Sequence, residues 1–300
     1  MEQIIPKELQ EQFDADKERE EKFRNLDLYA GEDLVIPSDR AVSEARELNK
    51  DVFIINSSMP SLDKILKGFR GGQLIVLSAG TGQGKTSFAQ TLTENFTGKG
   101  INCCWFPFEV PIDEMNEKFS KPPIFYLPRR MREHSLEWLE DRVIESVVKY
   151  ECGVVFIDHL HYLLDMRKMA EAKSLSLLVG MMMRRLKRLA VEYNIIIFLI
   201  AHMKMVATDK LPELDDLRDS SFVGQESDTV LFLKRQKEGL EYTDKATLKV
   251  AKNRRVGTLG LIKLVYKDNK FRELGVKDED EEILGQLFDN PEEVGWSIKS

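Results

Sequence analysis

The stretch "QLIVLSAGTGQGKTSFAQTLTENF", residues 73–96, constrains the fold more than any other part of the chain. An apolar run passes straight into a glycine-rich loop, and that loop opens a helix whose Phe88, Ala89, Leu92 and Phe96 share one face. This is a strand–loop–helix unit. Within it, "AGTGQGKT" at 79–86 fits the phosphate-loop pattern, with Ala79 in the first position, where glycine is commoner. Gly80, Gly82 and Gly84 let the backbone turn its N–H groups inward around a di- or triphosphate, and the following helix adds its positive end. The expected contacts are Ala79, Gly80, Thr81, Gly82, Gln83, Gly84, Lys85, Thr86 and Ser87. Lys85 is placed to reach the β- and γ-phosphates, and the Thr86 hydroxyl to hold Mg²⁺.

Composition narrows the setting. At 300 residues and 42% apolar, the chain can bury a continuous core. It contains no run of eighteen apolar residues, and it begins with the acidic, charged "MEQIIPKELQEQFDADKEREEKF". No membrane span, signal or transit peptide is therefore expected, and a cytoplasmic protein is. Cys103, Cys104 and Cys152 sit in apolar settings and read as core thiols, not as a disulfide framework or a zinc site. A net charge of -7 argues against a broad basic surface of the kind that coats duplex DNA. A few basic loops on an acidic body still suffice to hold a single strand.

Residues 1–50 carry dense mixed charge with sparse anchors, among them Phe13, Phe23 and Leu26, and read as a charged helical arm that docks on a neighbour. Residues 51–274 alternate short apolar runs with amphipathic stretches, the signature of βα units and a mostly parallel sheet. Strands are expected at 73–78, 102–108, 153–157, 194–200, 229–233, 246–251 and 261–266, and helices at 86–97, 112–119, 135–150 and 171–193. The methionine run at 181–183 falls on the apolar face of the last helix and reads as core packing. Residues 275–300 form an acidic tail.

A loop that binds a triphosphate does not hydrolyse it; a metal-side carboxylate and a base are also needed. "GVVFIDHL" ends an apolar run in Asp158, which suits the Mg²⁺ shell at the carboxyl end of a buried strand. His159 follows it, where many ATPases carry glutamate. Glu109 in "NCCWFPFEVP" ends the run after the loop helix. Parallel strands put their carboxyl ends on one edge, so Glu109 can face the γ-phosphate and orient the attacking water.

Together with "SSMPSLDKILKGFRGGQLIVLSAG", "CWFPFEV", "VVFIDHLHYL", "IIIFLIAHMKM", "LDDLRDSSFVGQESDTVLFLKR" and "VAKNRRVGTLG", these residues resemble, in order, the motor core of the DnaB family of replicative DNA helicases. The resemblance covers about 52–274 and is nearest to the phage and mitochondrial ring-helicase branch. It implies an α/β fold: a RecA-like P-loop ATPase core with a mostly parallel central sheet flanked by helices, plus the charged N-terminal arm. "SSMPSLDKILKGFRGG" is implied as a lead-in strand and turn.

The resemblance further implies an ATP- and Mg²⁺-dependent helicase or translocase that acts as a hexameric ring on single-stranded DNA and hydrolyses ATP between subunits. His202 is implied as the γ-phosphate sensor, and Lys252 and Arg254, taken to share one face of a strand, as cations inserted into the neighbouring subunit's site. Arg255 is an adjacent alternative. Arg235 and Tyr266 are implied as holders of the nucleotide base. DNA contacts are assigned to Lys204 first, then Arg167, Lys168, Lys173 and Lys210. A primase, a loader or a polymerase is implied as partner, and no membrane. A RecA-type regulatory or recombination ATPase without processive unwinding is the alternative reading.

Overall fold

The computed structural model describes residues 7–31, 34–48, 53–119, 121–131, 135–159, 175–204, 210–217, 220–239 and 241–274. Contacts divide the chain into two units, Met1–Asp51 and Val52–Ser300. The first contains helices α1 (Lys7–Asp27) and α2 (Ser38–Leu48). Its apolar anchors are sparse: Phe23 and Leu26 on α1 are 60% and 58% exposed, with the Arg19 guanidinium 5.6 Å from the Phe23 ring centre. No described helix is long and apolar enough to cross a membrane.

The second unit opens with a two-stranded antiparallel pair, β1 (Ile54–Ile55) and β2 (Phe69–Arg70), around helix α3 (Pro60–Leu66). The lead-in segment, expected as strand and turn, therefore contains a helix. Pro60 suits its first turn, Leu62 and Leu66 bury one face, and the Asp63 carboxylate accepts from Ser57 N–H at 2.7 Å and Ser57 Oγ at 2.8 Å.

The body is an eight-stranded sheet. In chain order its elements are β3 (Leu74–Ala79), α4 (Lys85–Thr97), β4 (Cys103–Pro107), α5 (Ile112–Glu117), α6 (Leu136–Tyr150), β5 (Val154–Asp158), α7 (Leu175–Glu192), β6 (Ile196–His202), α8 (Ser220–Glu226), β7 (Thr229–Glu238), β8 (Glu241–Asn253), β9 (Gly260–Lys267) and β10 (Lys270–Glu273). Across the sheet the order is β10-β9-β8-β7-β3-β6-β5-β4. Strands β7, β3, β6, β5 and β4 pair in parallel, and β8, β9 and β10 extend the sheet by antiparallel pairing.

The parallel strands are apolar without alternation because both faces are covered. Ile75, Leu77, Trp105, Phe156 and Phe198 pack with Phe88, Leu92 and Phe96 of α4. Their alternates Val76, Phe106, Ile157 and Leu199 pack on the other face with Leu139 and Val143 of α6 and Val179, Met183 and Leu186 of α7. Met182 and Met183 are buried and Met181 is exposed, so two of the three methionines join that layer. The thiols of Cys103, Cys104 and Cys152 are buried and free.

The sheet also fixes what lies at each end. The registers Ala79↔His202, Asp158↔Ile200 and Pro107↔Asp158 bring the carboxyl ends of β3, β6, β5 and β4 into one row. The opposite end of β3 is tied to β7 by Asp228, whose N–H donates to Leu74 O at 2.8 Å and whose Oδ2 accepts from Leu74 N–H at 2.8 Å and from Lys187 Nζ at 2.6 Å.

Candidate functional site at the carboxyl edge of the sheet

The loop between β3 and α4 takes its shape from glycine. Gly82 and Gly84 have φ of 75° and 90°, in the left-handed region that glycine enters without strain. A Cβ on Gly84 would stand 3.1 Å from the Phe271 ring, so β10, which the sequence patterning does not single out, packs directly against the loop. Ala79 is the buried last residue of β3, Lys85 and Thr86 begin α4, and Ser87 lies in its first turn. Lys85 is 7% exposed and donates from Nζ to Ala79 O at 3.2 Å. Burial lowers its pKa, and the negative charges of Asp158 and Glu109 oppose that shift.

Asp158 ends β5 beside it. The Thr86 hydroxyl donates to Asp158 Oδ2 at 2.7 Å, while Asp158 Oδ1 is buried with no hydrogen-bond partner among the described residues. Burial pushes the Asp158 carboxyl up to about 6; the Thr86 hydrogen bond opposes the rise. A half-satisfied buried carboxylate next to a hydroxyl fits a hard divalent cation with oxygen ligands, so these two side chains could hold Mg²⁺.

Glu109 reaches the same row from the end of β4. Its backbone N–H and that of Phe108 donate to Asp158 O at 3.2 and 2.7 Å. Its carboxylate Oε2 lies 3.0 Å from His159 Nδ1 and 3.9 Å from His202 Nε2, and the two imidazole rings meet edge to face at 4.3 Å. Glu109, Asp158, His202 and Lys85 are thus brought to one edge. His159, the neighbour of Asp158, joins them.

On the other side of the loop, the Arg235 guanidinium lies 4.7 Å from the Tyr266 ring centre and 5.5 Å from that of Tyr242. Its Nε and Nη2 donate to Thr243 O at 3.2 and 2.9 Å. The Tyr242 hydroxyl donates to Thr81 O in the loop at 3.2 Å. Tyr242 is absent from the set read from sequence. The available signal was Gly239, which turns β7 back into β8 and faces Tyr242 across from Lys237.

Lys252 and Arg254 lie elsewhere, and one expectation about them is corrected. Strand β8 ends at Asn253, so Arg254 sits in the turn beyond it, and a register shift at Val230/Leu231 breaks the alternation just before Lys252. They converge for a different reason. Lys252 Nζ donates to the carbonyls of Gly224, Gln225 and Ser227 at 2.6, 2.9 and 2.7 Å, and Arg254 Nη2 to Gln225 O at 2.7 Å. Both cations thereby meet the exposed carbonyls that end α8. Arg255 donates instead to Leu66 O and Lys67 O at the end of α3. The pairing Ile75↔Thr229↔Asn253 puts this group at the amino end of β3, roughly 17 Å along the strand from the phosphate loop.

Lys204 is exposed just past β6; its N–H donates to Asp216 O at 2.7 Å and its Nζ to Asp215 O at 3.0 Å. Lys210 is also exposed. Arg167, Lys168 and Lys173 lie outside the described residues.

The fold and this edge define a RecA-like P-loop ATPase core. The chain belongs to the DnaB-like helicase C terminal domain family, whose model matches residues 55–121 and 129–273. It is 24% identical over 303 residues to a probable replicative DNA helicase of Trieres chinensis, covering 86% of this chain and 65% of that one. It is 23% identical over 320 residues to the replicative DNA helicase DnaB of Rickettsia typhi, covering 85% and 62%. The chain therefore spans just under two thirds of the length of these relatives. Among solved structures, an isolated ATPase domain superimposes with a TM-score of 0.65 at 18% identity, covering 79% of this chain and 98% of that one. A DnaB-like replicative helicase described with its primase interactions gives 0.64 at 17% identity, covering 79% and 67%.

Proposed function

We propose that the chain is the motor of an ATP-dependent DNA helicase that works as a hexameric ring on single-stranded DNA, with residues 51–274 as the motor domain, residues 1–50 as a subunit-docking arm and 275–300 as an acidic tail. The observation that carries the reading is the carboxyl edge itself: a glycine loop, a buried lysine, a hydroxyl–carboxylate pair with an unpaired oxygen, and a glutamate across the row. The loop backbone from Gly80 to Gly84 cradles the phosphates, and Lys85 neutralises charge on the β- and γ-oxygens. Thr86 and Asp158 hold Mg²⁺, which when bound supplies charge stabilisation of the transferring phosphoryl group. Glu109 orients and deprotonates the attacking water, and His202 reads the γ-phosphate. Arg235, Tyr266 and Tyr242 hold the base by stacking.

Lys252 and Arg254 act on the next subunit's nucleotide. Their position at the far end of the sheet from their own phosphate loop supports that role, since they cannot serve both in one chain. Arg254 is favoured over Arg255, whose guanidinium is taken up by the end of α3. Lys204, two residues after His202, links the sensor to a strand of DNA, with Lys210 as a weaker contact. Arg167, Lys168 and Lys173 remain in the proposed channel set on sequence alone. A primase, loader or polymerase is the partner class proposed for the assembled ring.

The test is ATP hydrolysis with and without single-stranded DNA, run beside strand displacement from a forked duplex. Stimulated hydrolysis with displacement is expected. Stimulated or basal hydrolysis without displacement under any condition contradicts the helicase reading and leaves a regulatory or recombination ATPase.

A further inference from the structure

The cluster of Glu109, His159 and His202 has a chemistry that phosphate handling does not use. One Glu109 carboxylate oxygen and one ring nitrogen from each histidine all lie within 4.8 Å of one another. Two imidazoles and one carboxylate are the donor set of open zinc sites, and ligand atoms around a tetrahedral Zn²⁺ stand about 3.3 Å apart. Here Glu109 Oε2 is 3.0 Å from His159 Nδ1 and 3.9 Å from His202 Nε2, so small side-chain rotations complete the geometry. We propose that Glu109, His159 and His202 form a binding site for a borderline transition-metal cation of the Zn²⁺ class, distinct from the magnesium position at Thr86 and Asp158.

The two positions differ by ligand hardness. Thr86 and Asp158 offer oxygen alone, which suits Mg²⁺; the new site offers two imidazole nitrogens, which Mg²⁺ takes poorly and Zn²⁺, Co²⁺ or Ni²⁺ take well. The histidines are held in place: the side chains of His159 and His202 are 9% and 22% exposed, and their rings brace each other edge to face. The described alternative soft ligands are out of play. Burial pushes the thiols of Cys104 and Cys152 up to about 12 and about 11, and that of Cys103 further, so none offers a thiolate. On the proposed function above, the consequence is inhibition. A Glu109 carboxylate that ligates a cation cannot also orient the attacking water, and a ligated His202 cannot read the γ-phosphate.

The experiment uses the full chain without nucleotide, in excess Mg²⁺, and titrates Co²⁺ as a visible probe, followed by Zn²⁺. One Co²⁺ per chain with visible bands of tetrahedral intensity, displaced by Zn²⁺, is expected. His159→Asn and His202→Asn should each weaken binding at least about tenfold. Glu109→Gln, at a side chain 40% exposed, keeps the test open should a histidine variant not fold. No Co²⁺ or Zn²⁺ binding at micromolar metal, or binding undiminished in all three variants, overturns the site. Because this titration needs no turnover, it stands apart from the ATPase reading. That reading enters only in a second assay, where Zn²⁺ should stop hydrolysis and a chelator restore it; hydrolysis unaffected by a saturating metal would overturn the inhibitory consequence.

Discussion

The Thr86 hydroxyl, at the start of α4, donates at 2.7 Å to Oδ2 of Asp158, at the end of β5, and leaves the other carboxylate oxygen buried and unpaired among the described residues. A carboxylate in that state costs the nucleotide-free fold stability, because burial favours its neutral form. The cost is what a bound cation relieves.

Replacing Asp158 by Asn should therefore stabilise the nucleotide-free, magnesium-free chain while removing turnover. The Asp158 carboxyl moves from 3.8 up to about 6 on folding, so between those values the folded state holds more protons than the unfolded and stability falls as pH rises. Above about pH 6 the full penalty, of order 3 kcal/mol, is present. Calorimetry should show the variant melting higher than the native chain near pH 7 and no higher near pH 4. Magnesium with nucleotide should raise the native melting temperature and leave the variant's unchanged.

The Lys187–Asp228 pair at the far end of the sheet should behave in the opposite sense. Lys187 Nζ meets Asp228 Oδ2 at 2.6 Å and Gly72 O at 2.7 Å, and the Asp228 side chain is 9% exposed. Lys187→Met leaves that carboxylate short of its charge partner and should cost about 3 kcal/mol, a drop of roughly 6 °C or more in melting temperature. The partial exposure of Lys187 makes this the lower end of what a fully buried pair would show.

Tyr242 should matter to nucleotide affinity although it lies in the β7–β8 hairpin. Its hydroxyl bonds to Thr81 O and its ring flanks Arg235. Losing one hydrogen bond and one cation–π contact, each worth about 1 kcal/mol, should weaken ATP binding about tenfold in Tyr242→Ala, with a smaller loss in Tyr242→Phe. Fluorescent-nucleotide titration measures both.

Lys204→Ala should weaken single-strand binding and lower the slope of log affinity against log salt by about 1, with DNA-independent hydrolysis retained. Fluorescence anisotropy across a salt series gives both quantities. An unchanged slope removes Lys204 from the DNA path.

Much of this arrangement was legible in the sequence because it depends on local pattern. The apolar runs ending at Ala79, Asp158 and His202 mark strands of a parallel sheet, and parallel strands must align their carboxyl ends. The helix faces followed in the same way: Phe88, Ala89, Leu92 and Phe96 are fully buried at the spacing read for them. What escaped depends on contacts distant in sequence. Tyr242 reaches Thr81 and Phe271 packs on Gly84 only once the antiparallel strands are added beside β7. Helix α3 was hidden in a segment too short to show periodicity, and the turn at Arg254 follows from a register shift that no composition reveals.

The central claim is that hydrolysis is completed across a subunit seam, and mixing tests it most directly. Lys85→Ala, which lacks the phosphate lysine, and Arg254→Ala, which lacks the trans cation, should each be nearly inactive. Combined, they should recover turnover beyond the sum of the two, because some seams pair an intact loop with an intact arginine. Undiminished activity in Arg254→Ala alone, or a mixture no more active than its parts, would contradict the account.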